Sequence, residues 1–190
     1  MKIGLIGIGK IANYQMQAIS HTKGISLVDA NDLNPVKAEE LPGSVTFYDD
    51  LDELMKRSTA DAFLVSTPTP THFEVAMKVI EADRVAIVEK PLCISPEQED
   101  ALRTAAVTRK LPLYTAFHPS YGREVEWWVE QREQRNFDLG RLLGFESCFS
   151  DPYYLHGDLT LGAVGKAGAW IDGGLSSLSI LARLIDPTQM

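Results

Sequence analysis

Met1-Lys2-Ile3-Gly4-Leu5-Ile6-Gly7-Ile8-Gly9-Lys10-Ile11-Ala12 opens the chain, and its reading decides the fold. Ile3 to Ile6 is a short apolar run of the kind that forms a buried strand, and Ile11 to Ser20 has helical spacing. Between them stands GxGxxA, from Gly7 to Ala12. Glycines are common, so the pattern alone says little. Placed after a strand and at the start of a helix, it carries a specific chemistry. Gly7 permits a tight turn, Gly9 lets the backbone approach a pyrophosphate, and Ala12 lets helix and strand pack closely. The backbone of Ile8, Lys10 and Ile11 then presents N–H groups and the positive end of the helix dipole to phosphates. The competing reading is a plain strand–turn–helix.

Outward from this turn, apolar runs alternate with amphipathic ones. Strands are expected at Ser26 to Asn31, Val45 to Tyr48, Ala62 to Ser66, Val85 to Val88 and Leu113 to Ala116. Helices are expected after Asn34-Pro35, after the cap Asp50, over Phe73 to Ala82, and from Ser95-Pro96 to about Lys110. Runs apolar throughout, separated by helices, imply a parallel sheet covered on both faces. Right-handed crossovers make it a doubly wound α/β fold of the Rossmann type over residues 1–117. Asp32 follows the second strand, twenty residues past Ala12. An acidic residue there can accept both ribose hydroxyls of an adenosine and repels a 2′-phosphate, which favours NAD over NADP. It can also serve as a turn residue before Asn34-Pro35, and Asp29 is a competitor that alternation points elsewhere.

After Phe117 the pattern changes. A helix is expected near Arg123 to Arg135, a strand over Leu142 to Phe149, irregular chain over 151–168, and a helix near Gly174 to Ile185. One strand and two helices cannot complete a layered domain, so residues 118–190 read as an incomplete α+β unit.

Composition narrows the function further. The 190 residues are 45% hydrophobic and carry a net charge of −8, which argues against nonspecific binding to nucleic acid or an anionic membrane. The apolar stretch Ile3 to Ile8 is too short for a signal peptide, and no run approaches the ~18 residues of a membrane span. Cys93 and Cys148 are far apart and read as two small buried side chains in a reducing compartment. A cytoplasmic protein is expected. No His, Cys or Asp cluster has metal-site spacing, and no nucleophile motif is present.

Val65-Ser66-Thr67-Pro68, His72 and Glu89-Lys90-Pro91 together resemble the glucose–fructose oxidoreductase, inositol dehydrogenase and rhizopine-catabolism family. The resemblance implies that Thr67, Pro68 and His72 line the cofactor. It implies that Glu89 and Lys90 reach the nicotinamide ribose, with Lys90 also facing substrate. Solvated or helix-start roles are the bland alternatives for Lys90 and His72. Pro91 fixes the chain direction after Lys90 and holds Lys90 extended.

Farther on, Asp172 and Gly174 match the family's Asp-x-Gly-x-His pattern, but Ser176 stands where histidine is usual. Gly173-Gly174-Leu175-Ser176 is more similar to the aldose 1-dehydrogenase branch. His118 and His156 also resemble positions that this branch uses for sugar, although loop histidines are commonly only solvated. With histidine absent, Asp172 becomes the base and Lys90 orients the hydroxyl, while hydride passes from a sugar or polyol carbon to nicotinamide. A non-catalytic dinucleotide sensor is the rival class. Family members are expected to be longer, so the chain reads as truncated, and the resemblance implies that residues 118–190 are a partial substrate or dimerisation domain. The stripe Leu175, Leu178, Leu181 and Leu184 suggests a homo-oligomer.

Overall fold

A computed structural model describes residues 1–134, 144–148 and 170–185. The chain divides into two compact units, Met1–Ala116 and Phe117–Met190.

The first unit is one parallel sheet of six strands: β1 (Lys2–Ile6), β2 (Ser26–Asn31), β3 (Thr46–Tyr48), β4 (Ala62–Val65), β5 (Val85–Glu89) and β6 (Leu113–Ala116). Their spatial order is β3-β2-β1-β4-β5-β6, so the chain reverses its direction of growth between β1 and β4. Ligands of doubly wound sheets bind at the carboxyl ends of the strands beside such a reversal. Four α-helices connect the strands: α1 (Lys10–His21), α2 (Leu51–Arg57), α3 (His72–Glu81) and α4 (Pro96–Arg109). A 3-10 segment, Pro35–Glu40, replaces a fifth between β2 and β3.

The helix starts follow from local chemistry. Asp50 accepts from the Glu53 amide at 2.9 Å, and Ser95 from that of Gln98 at 3.4 Å, with Pro96 in the first turn of α4. The core is what the apolar runs require. Leu5, Ile6, Phe63, Val65, Val88 and Leu102 are all within 1% of full burial. A polar layer sits among them, since Asp29 is 6% exposed and accepts from Ser58 Oγ at 2.5 Å.

In the second unit a 3-10 turn (His118–Tyr121) leads into α5 (Arg123–Glu133). Farther along, a π-helical turn (Trp170–Gly174) runs directly into α6 (Leu175–Leu184). Arg183 ties these elements together: it pairs with Glu126 of α5, and its guanidinium lies 4.6 Å from the centre of the Tyr121 ring.

Two expectations fail here. Of the Leu142 to Phe149 strand only 144–148 is described, and this stretch has no strand structure and is exposed throughout. A strand needs a neighbour to pair its backbone, and none is present among the described residues of this unit. Their α+β character is therefore not seen; the regular elements among them are helical. Cys148 lies in that stretch and is exposed rather than buried, whereas Cys93 is half-buried and burial pushes its thiol up.

Candidate cofactor site

The glycine turn stands at the carboxyl end of β1. Gly7 has φ +91°, and its N–H donates to the Asn31 carbonyl on β2 at 2.8 Å. A Cβ on Gly7 would lie 2.8 Å from the Ser66 and Thr67 backbone at the end of β4. Both the conformation and the close approach therefore demand glycine. Gly9 differs. It precedes α1 in an extended conformation, caps no helical N–H with a side chain, and a Cβ there would meet nothing within 4 Å. The space beside Gly9 is open, at a helix N-terminus, where a pyrophosphate would sit. Ala12 is fully buried, as close helix–strand packing requires.

Asp32 stands just past β2, with one oxygen on each side of a corner. Oδ2 accepts from the Ile8 amide of the glycine turn at 2.8 Å, and Oδ1 from the Asn34 amide at 2.9 Å. The same carboxylate thus makes the turn before Pro35 and touches the cofactor loop. A carboxylate offers about four acceptor positions, so two remain for ribose hydroxyls. Asp29, the competitor, is buried on Ser58.

The ends of β4 and β5 complete the site. His72, the first residue of α3, is 1% exposed. Its Nδ1 lies 2.7 Å from the Pro91 carbonyl and its Nε2 2.8 Å from the Thr67 carbonyl. The ring spans the two loops, with both nitrogens directed at backbone oxygens. Pro68 is exposed and precedes the short 3-10 turn Thr69–Thr71. Lys90-Pro91 is a cis peptide, Lys90 is half-buried, and its amide donates to Glu89 Oε2 at 3.3 Å.

Sequence reasoning gave no role to Gln15 or Ser66. Gln15 Nε2 donates to Glu89 Oε1 at 2.9 Å, and Ser66 Oγ donates to Gln15 Oε1 at 2.8 Å. A signal was available: Gln15 lies three residues past buried Ala12, on the helix face turned toward the sheet. A polar side chain on that face needs a partner.

In the second unit His118 is exposed at the start of the 3-10 turn. Ser176 is fully buried in the first turn of α6, and its carbonyl accepts from Ser179 Oγ at 2.7 Å. Asp172 lies in the π-helical turn Trp170–Gly174, a conformation frequent at functional sites. His156 lies outside the described residues.

The glycine turn, the Asp32 carboxylate beside it and the strand order have the form of a dinucleotide site. The profile of the GFO, IDH and MocA group, described as an oxidoreductase family with an NAD-binding Rossmann fold, matches residues 1–117. The chain belongs to this family. Its cofactor is accordingly NAD. Within the family it is similar to glucose-6-phosphate 3-dehydrogenase of Bacillus subtilis, 32% identical over 78% of this chain and 42% of the relative. It is also similar to myo-inositol 2-dehydrogenase of Thermotoga maritima, at 26% identity over 66% of this chain and 39% of the relative. Neither relative is named as an aldose 1-dehydrogenase.

Among solved structures, the WlbA dehydrogenase of Bordetella pertussis, in complex with NADH and UDP-GlcNAcA, superposes with a TM-score of 0.64. It is 25% identical over 70% of this chain and 43% of that one. Scyllo-inositol dehydrogenase of Lactobacillus casei, with NAD(H) and scyllo-inositol bound, has a TM-score of 0.79. At 14% identity, over 97% of this chain and 56% of that one, it shows the fold. The chain spans about two fifths of the length of the curated relatives named here. Among the described residues no helix is long and apolar enough to cross a membrane.

Proposed function

We propose that this protein takes part in NAD-dependent oxidation of a hydroxyl on a sugar or polyol. The observation that carries the reading is the placement of two motifs in one sheet. The glycine turn ends β1 and Glu89-Lys90-Pro91 ends β5, with β4 between them. Substrate and cofactor then meet at the carboxyl edge of a single rigid frame. In this reading residues 1–117 hold the cofactor and 118–190 serve the substrate side.

NAD, when bound, accepts the hydride. Gly7, Ile8, Gly9, Lys10 and Ile11 hold its pyrophosphate, Asp32 its adenosine ribose, and Thr67 and Pro68 border it. His72 keeps the loops of β4 and β5 together. Glu89 faces the nicotinamide ribose. Lys90, a cation at a strand end, orients the substrate hydroxyl and steadies negative charge as the proton leaves. Asp172 takes that proton, and His118, His156 and Ser176 belong to the sugar side. A positioned base contributes roughly 10²–10⁴-fold.

Cys93 and Cys148, far apart in the sequence, favour a reducing, cytoplasmic setting. A homo-oligomer that packs the stripe Leu175, Leu178, Leu181 and Leu184 of α6 on a second copy belongs to the same reading, and sedimentation would read it.

The test of the function is NAD reduction across a panel of aldoses, sugar phosphates and inositols. Turnover with at least one of them is expected, falling about 10²-fold or more in Lys90→Ala and Asp172→Ala. Near wild-type turnover in Asp172→Ala would remove Asp172 as the base.

A further inference from the structure

Glu89 is the acidic member of the β5 motif, and its carboxylate is held from both sides. On one side Oε2 receives the Lys90 amide at 3.3 Å. On the other, Oε1 receives Gln15 Nε2 at 2.9 Å from α1, seventy-four residues away in sequence. The Gln15 amide is itself oriented, because its Oε1 takes the Ser66 hydroxyl at 2.8 Å. A carboxylate only accepts, so the Gln15 amide must turn its NH₂ toward Glu89 and its oxygen toward Ser66. The chain Ser66–Gln15–Glu89 thus has one direction of donation. It crosses from β4 through α1 to β5, along the same edge as the glycine turn.

We infer that Gln15 is a positioning residue for the nicotinamide half of the site, acting through the Glu89 carboxylate. The inference rests on the reading above, in which Glu89 faces the nicotinamide ribose. Ribose recognition needs an acceptor fixed in place before the ligand arrives, since a side chain that must first be ordered spends affinity on its own rotamers. Glu89 has three rotatable side-chain bonds, and a donor on Oε1 removes most of that freedom while leaving lone pairs for hydroxyls. Gln15 has the reach for this because it sits one turn after the glycine loop, where α1 passes over the strand ends. Asparagine at this position would be one methylene too short.

The experiment compares two ligands on the same chain. NAD engages both halves of the site, whereas AMP engages only the adenosine side, at Asp32 and the glycine turn. Calorimetric titration of Gln15→Ala should show NAD binding weakened about tenfold with AMP binding unchanged within twofold. Gln15→Glu places a second carboxylate against Glu89. Its NAD affinity should be lowest near neutral pH and recover as pH falls and a shared proton replaces the amide N–H. The wild type should show no such recovery. Unchanged NAD affinity in Gln15→Ala would overturn the inference. So would an equal loss of NAD and AMP affinity, because that pattern marks a general loosening of α1. A wild-type chain that binds neither NAD nor AMP would instead overturn the underlying reading, and the inference with it.

Discussion

The two units of this chain are built on different terms. In Met1–Ala116 the strands and helices meet over fully buried apolar side chains such as Leu5, Phe63, Val79 and Leu102. In Phe117–Met190 the buried residues, among those described, are the two serines Ser120 and Ser176. Helix α5 has none. The ties seen among its described residues include polar ones: Arg183 on Glu126 and over Tyr121, Arg132 Nη1 on the Leu184 carbonyl at 3.0 Å, and Ser147 on Ser177 at 2.9 Å. The comparison teaches that the cofactor frame carries its own core, so its site geometry is set within residues 1–116. The described helices of the second unit are joined by polar ties, each individually worth little.

The largest expected effect is therefore in the core of the first unit. Leu102→Ala on α4 should cost about 2–5 kcal/mol of stability, read by chemical denaturation. A loss below ~1 kcal/mol would mean that this core is not the frame described. Next come the two glycines of the turn, which separate fold from function. Gly7→Ala forces a side chain into a positive-φ position against Ser66, and should destabilise the unit by roughly 1–3 kcal/mol as well as abolish NAD binding. Gly9→Ala projects into open space, so its melting temperature should stay near wild type while NAD affinity falls. Equal melting losses in the two variants would erase the distinction.

The smallest effect sharpens the comparison from the other side. Arg183→Ala removes the ion pair with Glu126 and the stacking on Tyr121, for at most about 1 kcal/mol. Hydrogen exchange should quicken in α5 and α6 and leave β1 to β6 unaffected. Quickening throughout would show the units to be one cooperative body.

The first unit was legible in sequence because its signals are local. Apolar runs gave all six strands, Asp50 and Ser95 marked their helices, and GxGxxA located the turn. The cross-links of the site were not legible. Gln15 with Glu89, and His72 with the Thr67 and Pro91 carbonyls, join residues that are near only after the sheet forms. His72 looked like a cofactor-lining residue or a helix start. It is a helix start whose ring is buried between two loops. Residues 144–148 of the expected Leu142 to Phe149 strand are not in a strand for a related reason: an apolar run becomes a strand only beside a partner, and none is found among the described residues of that unit.

The central claim is that the glycine turn and Asp32 form an NAD site within this chain. Calorimetric titration with NAD and NADP tests it most directly. Saturable binding is expected, with NAD tighter, because a carboxylate at Asp32 can accept ribose hydroxyls and would repel a 2′-phosphate. Asp32→Ala should narrow the gap between the two cofactors. Absence of NAD binding, or NADP binding equal to or tighter than NAD in the wild-type chain, would contradict the account.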